Sequence, residues 1–225
     1  MTSTLPPGQR AWHEFPRFGA VEFAKRPLRR THIRLEVRDP NSQVIVVTED
    51  DLATIPRAEL TVDFHCAAGW SYGPITWSGF RFADVWSACI DRERRISIES
   101  AYAVLRCEDG YRTSLPLADL LAPDVLIADR LNQEPLSIEH GFPVRLIAPA
   151  HYGYKNAKHL IAIEIRSNDE IYRPLLPRFM EHPRARVALE ERGQLLPGWL
   201  LRYLFRPFIQ PIIRKIKALG NPPQN

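Results

Sequence analysis

Two stretches of the chain hold the side chains best suited to chemistry. In "TVDFHCAAGWSYG", residues 61–73, an alternating apolar run ends at Cys66 and gives way to Gly69, Trp70 and Ser71. A thiolate is a nucleophile and a soft metal ligand, whereas a protonated buried thiol is a small inert hydrophobe, and these residues alone leave both readings open. In "HGFPVRLIAPAHYGYKNAKHLIAIEI", residues 140–165, Arg145 heads one apolar run, and the loop Lys155-Asn156-Ala157-Lys158 precedes the next. A basic loop entered through Gly153 presents backbone N–H groups and ammonium charges together, which suits a phosphate. Solvated lysines and an ordinary ion-paired arginine are the plainer alternatives.

The elements that must position these groups are short strands with interleaved helices. "HIRLEV" at 32–37 alternates like a half-buried strand, "VIVVT" at 44–48 follows a Pro-Asn turn, and "TEDDLATIP" starts a capped helical turn at Thr48. Further strands are expected at 60–66, 101–107, 111–115, 124–128, 144–148 and 159–166, with short helices at 81–90 and 116–122 and a hairpin turn at 107–111. The sum is a sheet-rich α+β domain over residues 20–168, preceded by an arm at 1–19 and followed by a basic extension at 169–225. With 225 residues, 45% of them hydrophobic, the chain is long enough for one sizeable core.

Charge and cysteine usage narrow the classes. From Arg184 onward eight Lys or Arg face two Glu, a charge of +6, which leaves −2 on the rest of a chain whose net charge is +4. The basic character belongs to the tail, so a nucleic-acid partner is not expected for the domain. Three cysteines, an odd number without paired spacing, read as free thiols in a reducing compartment. The N-terminal stretch lacks the apolar core of a secretory signal, and no run of about eighteen apolar residues could span a bilayer. The expected location is therefore cytoplasmic.

Taken together, "HCAAGWS", the following "WSG", "YRTSLPL" and above all "HGFPVRLIAPAHYGYKNAKHLIAIEI" resemble the molybdopterin-binding domain of the sulfite oxidase family. The likeness is nearest to its bacterial catalytic subunits, which include the methionine-sulfoxide-reducing enzymes. It implies the sulfite-oxidase-type fold, a molybdenum cofactor and an oxidoreductase. By motif position it makes Cys66 the catalytic thiolate ligand of molybdenum, a role that suits a soft donor beside a dithiolene. It gives His140 and Arg145 to the pterin or its phosphate, and Lys155, Asn156, Ala157 and Lys158 to the phosphate end. Thr113 or Ser114 is expected at the pterin ring. Cys89 and Cys107 are read as structural. The His65 imidazole is read as facing away from the metal, since neighbours on a strand point to opposite faces.

Two departures qualify the resemblance. Ala128 stands where the vertebrate-type enzymes carry a tyrosine beside the metal, and Cys66 is followed by "AAGWSYG" rather than an arginine-bearing stretch. Sulfite oxidation is thereby disfavoured unless Arg106, Arg112 or His151 brings charge from elsewhere. Tyr152 and Tyr154 are candidates for a substrate funnel, and Trp70 for a wall of the site. The chain has no Cys-x-x-Cys-His haem site, and the stretch after residue 168 is short for a further redox domain, so electrons are expected to pass through a separate protein. A cofactor-binding scaffold and a redox-inactive phosphate module are the alternatives to an enzyme acting on a small molecule. In "LLPGWLLRYLFRPFIQPIIRKIKALGN", 195–221, apolar residues at three- and four-residue spacing predict amphipathic helices kinked at Pro207 and Pro211. That stripe suits packing on the domain, a homodimer contact, or peripheral contact with a membrane or a membrane-embedded electron partner.

Overall fold

Thr48 and Asp51 show the local logic of the chain. The Thr48 hydroxyl accepts the Asp51 N–H at 3.4 Å and the Asp51 carboxylate accepts the Thr48 N–H at 2.9 Å, a reciprocal cap that starts helix α1 at Glu49–Ala53. The structure is a computed structural model in which residues 5–19, 30–41, 43–91, 101–167 and 180–219 are described. The expected domain boundaries near residues 20 and 168, and the last two residues of the 195–221 stretch, lie outside these.

Two sheets carry the fold. The first holds β4 (Arg57–His65), β5 (Trp70–Arg81), β8 (Leu126–Leu131) and β10 (Arg145–Ile147), with short β1 (Arg10–Ala11) on β5 and β9 (Glu134–Pro135) on β8. The second runs in the order β3 (Val44–Thr48), β2 (Arg34–Arg38), β11 (Leu160–Ser167), β6 (Ala101–Cys107) and β7 (Arg112–Pro116), with β2 and β11 parallel and the other pairs antiparallel. Helix α2 (Phe82–Val85) continues through a wider turn to Ile90, and α3 is Leu117–Leu120. The main core joins Leu35, Val37, Leu105, Leu115 and Ile163 of the second sheet to Ile127 and Leu146 of the first. Leu126, Ala128 and Ile147 alternate to the other face, where they meet Ile75 and Trp77. A sheet buried on both faces explains why β8 and β10 read as nearly unbroken apolar runs.

The sequence reading missed β5, the longest strand. Its string "WSYGPITWSGFR" carries Gly73, Pro74 and Gly79, which usually mark turns. Here Gly79 permits a close approach: a Cβ at that position would lie 2.1 Å from the Ile127 carbonyl oxygen and 2.7 Å from the Ala128 Cα. Pairing with β4, β8 and β1 outweighs local propensity.

The tail packs onto the first sheet. Helix α4 (Gly198–Phe205) is followed by a tight turn at Arg206–Phe208 and helix α5 (Ile209–Leu219). The expected break occurs at Pro207 and not at Pro211, because Pro211 falls in the first turn of α5, where its missing N–H has no helical partner to lose. Ile209 and Ile213 join Cys66, Ala68 and Trp70 in one apolar cluster. Among the described residues no helix is long and apolar enough to cross a membrane.

Burial thus divides the apolar stripe into an inner set and an outer set. Ile213→Ala is expected to lower unfolding free energy by about 2–4 kcal/mol, whereas Phe208→Ala should change it by less than about 0.5 kcal/mol. Urea unfolding of the two variants checks this, and equal effects would mean that the inner face is not packed.

Candidate active site

Cys66 lies at the corner between β4 and β5. Its N–H donates to the Trp70 carbonyl at 2.8 Å, its carbonyl accepts the Gly69 N–H at 2.9 Å, and its Sγ accepts the Ala68 N–H at 3.4 Å. Gly69, at a φ of 97°, supplies the left-handed residue that this tight corner requires. Burial pushes the thiol up to about 12, while the Ala68 N–H and then the Arg192 guanidinium pull the other way. Without a metal the group is therefore a thiol; a bound cation would be needed to hold it as thiolate. Among the described residues no three His, Cys, Asp or Glu side chains gather as a metal site. A metal at Cys66 would depend on donors brought by a cofactor.

Both ends of the chain fasten this corner. Gln9 donates to the Cys66 carbonyl at 3.2 Å and accepts from Ser71 Oγ at 2.9 Å, and Ser71 Oγ lies 2.8 Å from His65 Nδ1. His65 is thus held within the hairpin by Ser71. Arg192, fully buried, donates to the carbonyls of Ala67 at 2.6 Å and Pro7 at 3.2 Å and to Glu190 at 3.2 Å, and lies 5.0 Å over the Tyr152 ring. Neither Gln9 nor Arg192 was singled out from the sequence, because each reaches Cys66 only through tertiary contacts.

A second group gathers around Arg145. Its guanidinium is fully buried, donates to the carbonyls of His140 at 2.8 Å and Asn156 at 3.3 Å, stacks 4.7 Å over Trp77, and leaves Nε without a partner. Lys158 Nζ donates to the Glu139 carbonyl at 2.9 Å. Among the described residues no carboxylate lies within ion-pair distance of either cation. Burial, then the charges of Arg145 and Arg17, bring Lys158 down to about 7; its side chain keeps some contact with water, which screens part of that repulsion. Burial also brings Arg145 down to about 9, still a cation at neutral pH. His140 and His159 are pushed to about 4 by burial and then by their cationic neighbours, so both imidazoles are neutral. Two cations with no carboxylate at ion-pair distance, although Asp109 and Glu139 act on Lys158 from further off, fit, beside an orphaned N–H, an anion such as a cofactor phosphate. Arg17, which the sequence reading passed over, acts on Lys158 and His159 from the N-terminal arm.

The other expected contacts separate from this group. Lys155 turns away from Lys158: its buried Nζ donates to the Ser114 carbonyl at 2.7 Å and pairs with Glu181 at 3.4 Å, and Thr113 Oγ1 donates to the same carboxylate at 3.3 Å. The expectation that Lys155 and Lys158 act together on one phosphate does not match this placement, because the buried Glu181 carboxylate claims the Lys155 charge. Asn156 uses its side chain to tie Ala148, His151 and Tyr152, while Ala157 is buried in the core and receives the Leu146 N–H. These two shape the loop rather than offer free polar atoms.

Of the residues considered for charge or substrate contact, Arg106 is ion-paired to Glu164 on the second sheet. His151 Nδ1 contacts the Arg184 carbonyl at 2.5 Å, and its other nitrogen lies 3.9 Å from Asp119. Tyr154 donates to the Arg192 carbonyl at 3.3 Å and accepts the His182 N–H at 2.9 Å, so it holds a loop. Tyr152 is buried beside Gln9 and Arg192, its hydroxyl making no hydrogen bond of ordinary geometry. Ala128 pairs with Arg145 across β8 and β10.

Phe64 joins the two groups. Its ring lies 6.0 Å from the Arg145 guanidinium and 5.8 Å from the Trp70 ring, in the same apolar cluster as Cys66. Phe15 of the N-terminal arm stacks at 5.0 Å on His140 and at 5.5 Å on Tyr72. An apolar wall thus runs between the Cys66 thiol and the Arg145 guanidinium. The chain belongs to the oxidoreductase molybdopterin binding domain family, whose profile matches residues 23–172. It is a molybdenum-cofactor-dependent oxidoreductase of sulfite-oxidase type, as its motifs implied.

An uncharacterized oxidoreductase, YuiH, of Bacillus subtilis is 35% identical over 162 residues, covering 71% of this chain and 78% of the relative. The mitochondrial sulfite oxidase of Rattus norvegicus is 29% identical over 58% of this chain but only 28% of its own length. A putative protein-methionine-sulfoxide reductase subunit, YedZ1, of Azospira oryzae is 29% identical over 60% of this chain and 49% of its own length. The sulfane dehydrogenase SoxCD of Paracoccus pantotrophus shares the fold, with a TM-score of 0.51 over 68% of this chain and 43% of that one at 22% identity.

The two lysines should separate by experiment. Lys158→Ala is expected to fold normally and to lower molybdopterin content, measured after purification from a molybdenum-replete host. Lys155→Ala should instead lower stability by about 3–5 kcal/mol, since it leaves Glu181 buried without its cation. The pH dependence follows from the lowered value of Lys158. From pH 7 to about 10 the unfolded chain binds the proton that the folded chain has lost, so this group favours folding more as pH rises. The melting temperature of the apoprotein minus that of Lys158→Met should therefore increase across this window, a difference in which the opposing thiol titrations cancel. A flat difference would place Lys158 in water.

Proposed function

We propose that this chain carries out two-electron redox chemistry of the oxygen-atom-transfer type at a molybdenum bound through the Cys66 thiolate, and that a separate protein exchanges the electrons. The observation that supports this reading is the fully buried Arg145, which has no carboxylate within ion-pair distance among the described residues, beside the half-buried Lys158, with Phe64 between Arg145 and the Cys66 corner. When bound, the molybdenum cofactor supplies the redox capacity and the oxygen-transfer site. The residues of the chain do the rest. Arg145 and Lys158, with Arg17 nearby, hold the phosphate end, and neutral His140 offers ring nitrogens for the pterin. The Ala68 N–H aims at Cys66 Sγ, and Arg192 fixes the following peptide at Ala67 while its charge favours thiolate over thiol. Trp70 and Phe64 keep water from the thiol.

The substrate class that fits is a small uncharged sulfur oxide. The named relatives act, by their names, on sulfite, sulfane sulfur or methionine sulfoxide. Arg192, the guanidinium that acts on Cys66, is committed to Glu190 and two carbonyls, which favours an uncharged sulfoxide over a sulfite dianion. Such a sulfoxide takes two electrons and two protons to give sulfide and water. The relative named as a subunit supports an electron route outside this chain.

Cys66→Ser tests the centre of the reading. The variant should fold and keep measurable pterin while turnover with an artificial electron donor falls by more than about a hundredfold. Wild-type turnover in the variant would remove Cys66 from the metal. Purified wild type lacking molybdenum, or loaded but inert toward every sulfoxide tried, would favour a cofactor-binding scaffold or a phosphate-binding module.

A further inference from the structure

We propose that the outward face of α4 and α5 is a docking surface for an anionic lipid bilayer. The inner face of this segment is spent on the fold, with Leu201, Ile209, Ile213 and Ile216 buried. A second apolar face remains: Trp199, Tyr203, Leu204 and Phe208 are 55, 54, 47 and 60% exposed. Four large apolar side chains exposed on one short segment of the chain are a feature of an interaction surface.

Charge identifies the occupant. No acidic residue occurs between Arg192 and Leu219. Arg202 and Lys217 are paired with Glu190 and Glu14, but Arg206, Arg214 and Lys215 have no carboxylate partner among the described residues. Arg214 and Lys215 are exposed, and Arg206 lies 5.1 Å over the Tyr203 ring. Exposed Phe and Leu for the acyl boundary, Trp and Tyr for the headgroup level and uncompensated cations around them are the features of a helix that lies in an anionic interface. A second copy placed symmetrically on the same face would oppose these cations to themselves.

The placement also bears on redox chemistry. Ile209 and Ile213 touch the Cys66 cluster from the opposite side of α5, so a docked bilayer would lie about one helix diameter, roughly 10 Å, from that corner. This consequence rests on the function proposed above; the docking itself does not.

Co-sedimentation of the full-length protein with vesicles tests the surface. Binding to mixed phosphatidylcholine and phosphatidylglycerol vesicles is expected, with little to phosphatidylcholine alone and a loss in high salt. Arg214→Ala and Lys215→Ala should each weaken binding by about fivefold, the effect of one charge near an anionic surface. Phe208→Ser should weaken it comparably without changing the melting temperature. Equal binding to both vesicle types, no binding, or binding that ignores all three substitutions would overturn the proposal. A dimer that the same substitutions dissociate, without vesicle binding, would give the face to a second copy. Docking can also be scored in the cofactor-free protein, so failure here and failure of the redox reading are separable.

Discussion

A guanidinium buried without a carboxylate is the constraint around which the candidate site is organised. Arg145 is fully enclosed, yet its guanidinium contacts two backbone carbonyls and the face of Trp77, with no carboxylate at ion-pair distance among the described residues. Desolvating a full charge is expensive, and carbonyl dipoles with an aromatic face offset only part of that expense. The charge of Lys158, on which Arg145 acts, raises it further. Such an arrangement makes physical sense when an anion completes it, because each added phosphate oxygen then turns repulsion into charge-assisted hydrogen bonding. An anion bound there would stabilise the fold by mass action.

The two ends of the chain act on the other half of the site. Pro7 and Gln9 reach the Cys66 corner from the N-terminal arm, and Arg192 reaches it from the far side. Cys66 itself offers one sulfur, and a short hairpin corner has little to hold it in place. Contacts from Pro7, Gln9 and Arg192, in distant parts of the sequence, fix the peptide that carries it, and a thiol so held has a defined direction. The inner face of α5 covers the same corner with Ile209 and Ile213, keeping it dry. Burial in turn holds the free thiol protonated, a state in which it is chemically inert.

Lys155 and Lys158 illustrate how neighbours in sequence can serve different ends. Three residues apart, in a loop that begins with a tight turn at Gly153–Lys155, they point to different surroundings. One meets a buried carboxylate, Glu181, at ion-pair distance; the other donates to the Glu139 carbonyl and feels the Arg145 and Arg17 charges more strongly than those of Asp109 and Glu139. The first is committed to holding Glu181 in place, and the second is available to a ligand. Asn156 and Ala157 between them support that divergence, since their polar atoms and side chains are used by the chain itself.

Much of this protein was legible in its sequence. Apolar runs, alternating in β2 and β4 and bounded by turn signals elsewhere, marked β2, β3, β4, β6, β7, β8, β10 and β11, Thr48 marked a helix start, and the two motifs around Cys66 and Arg145 marked the family. These signals are local: strand period, capping chemistry and motif spacing are properties of adjacent residues. The long strand β5 was not legible, because its glycines serve a close approach to β8 that exists only once the strands pair. Nor were Gln9, Arg17 and Arg192, whose types are ordinary and whose partners lie as far as 185 residues away. The division of the tail into a buried face and an exposed one was likewise decided by packing. Sequence determined which residues carry charge, sulfur and apolar surface, whereas tertiary structure alone determined which charges lost their counter-ions and which surfaces kept their water, since burial is a property of the assembled chain.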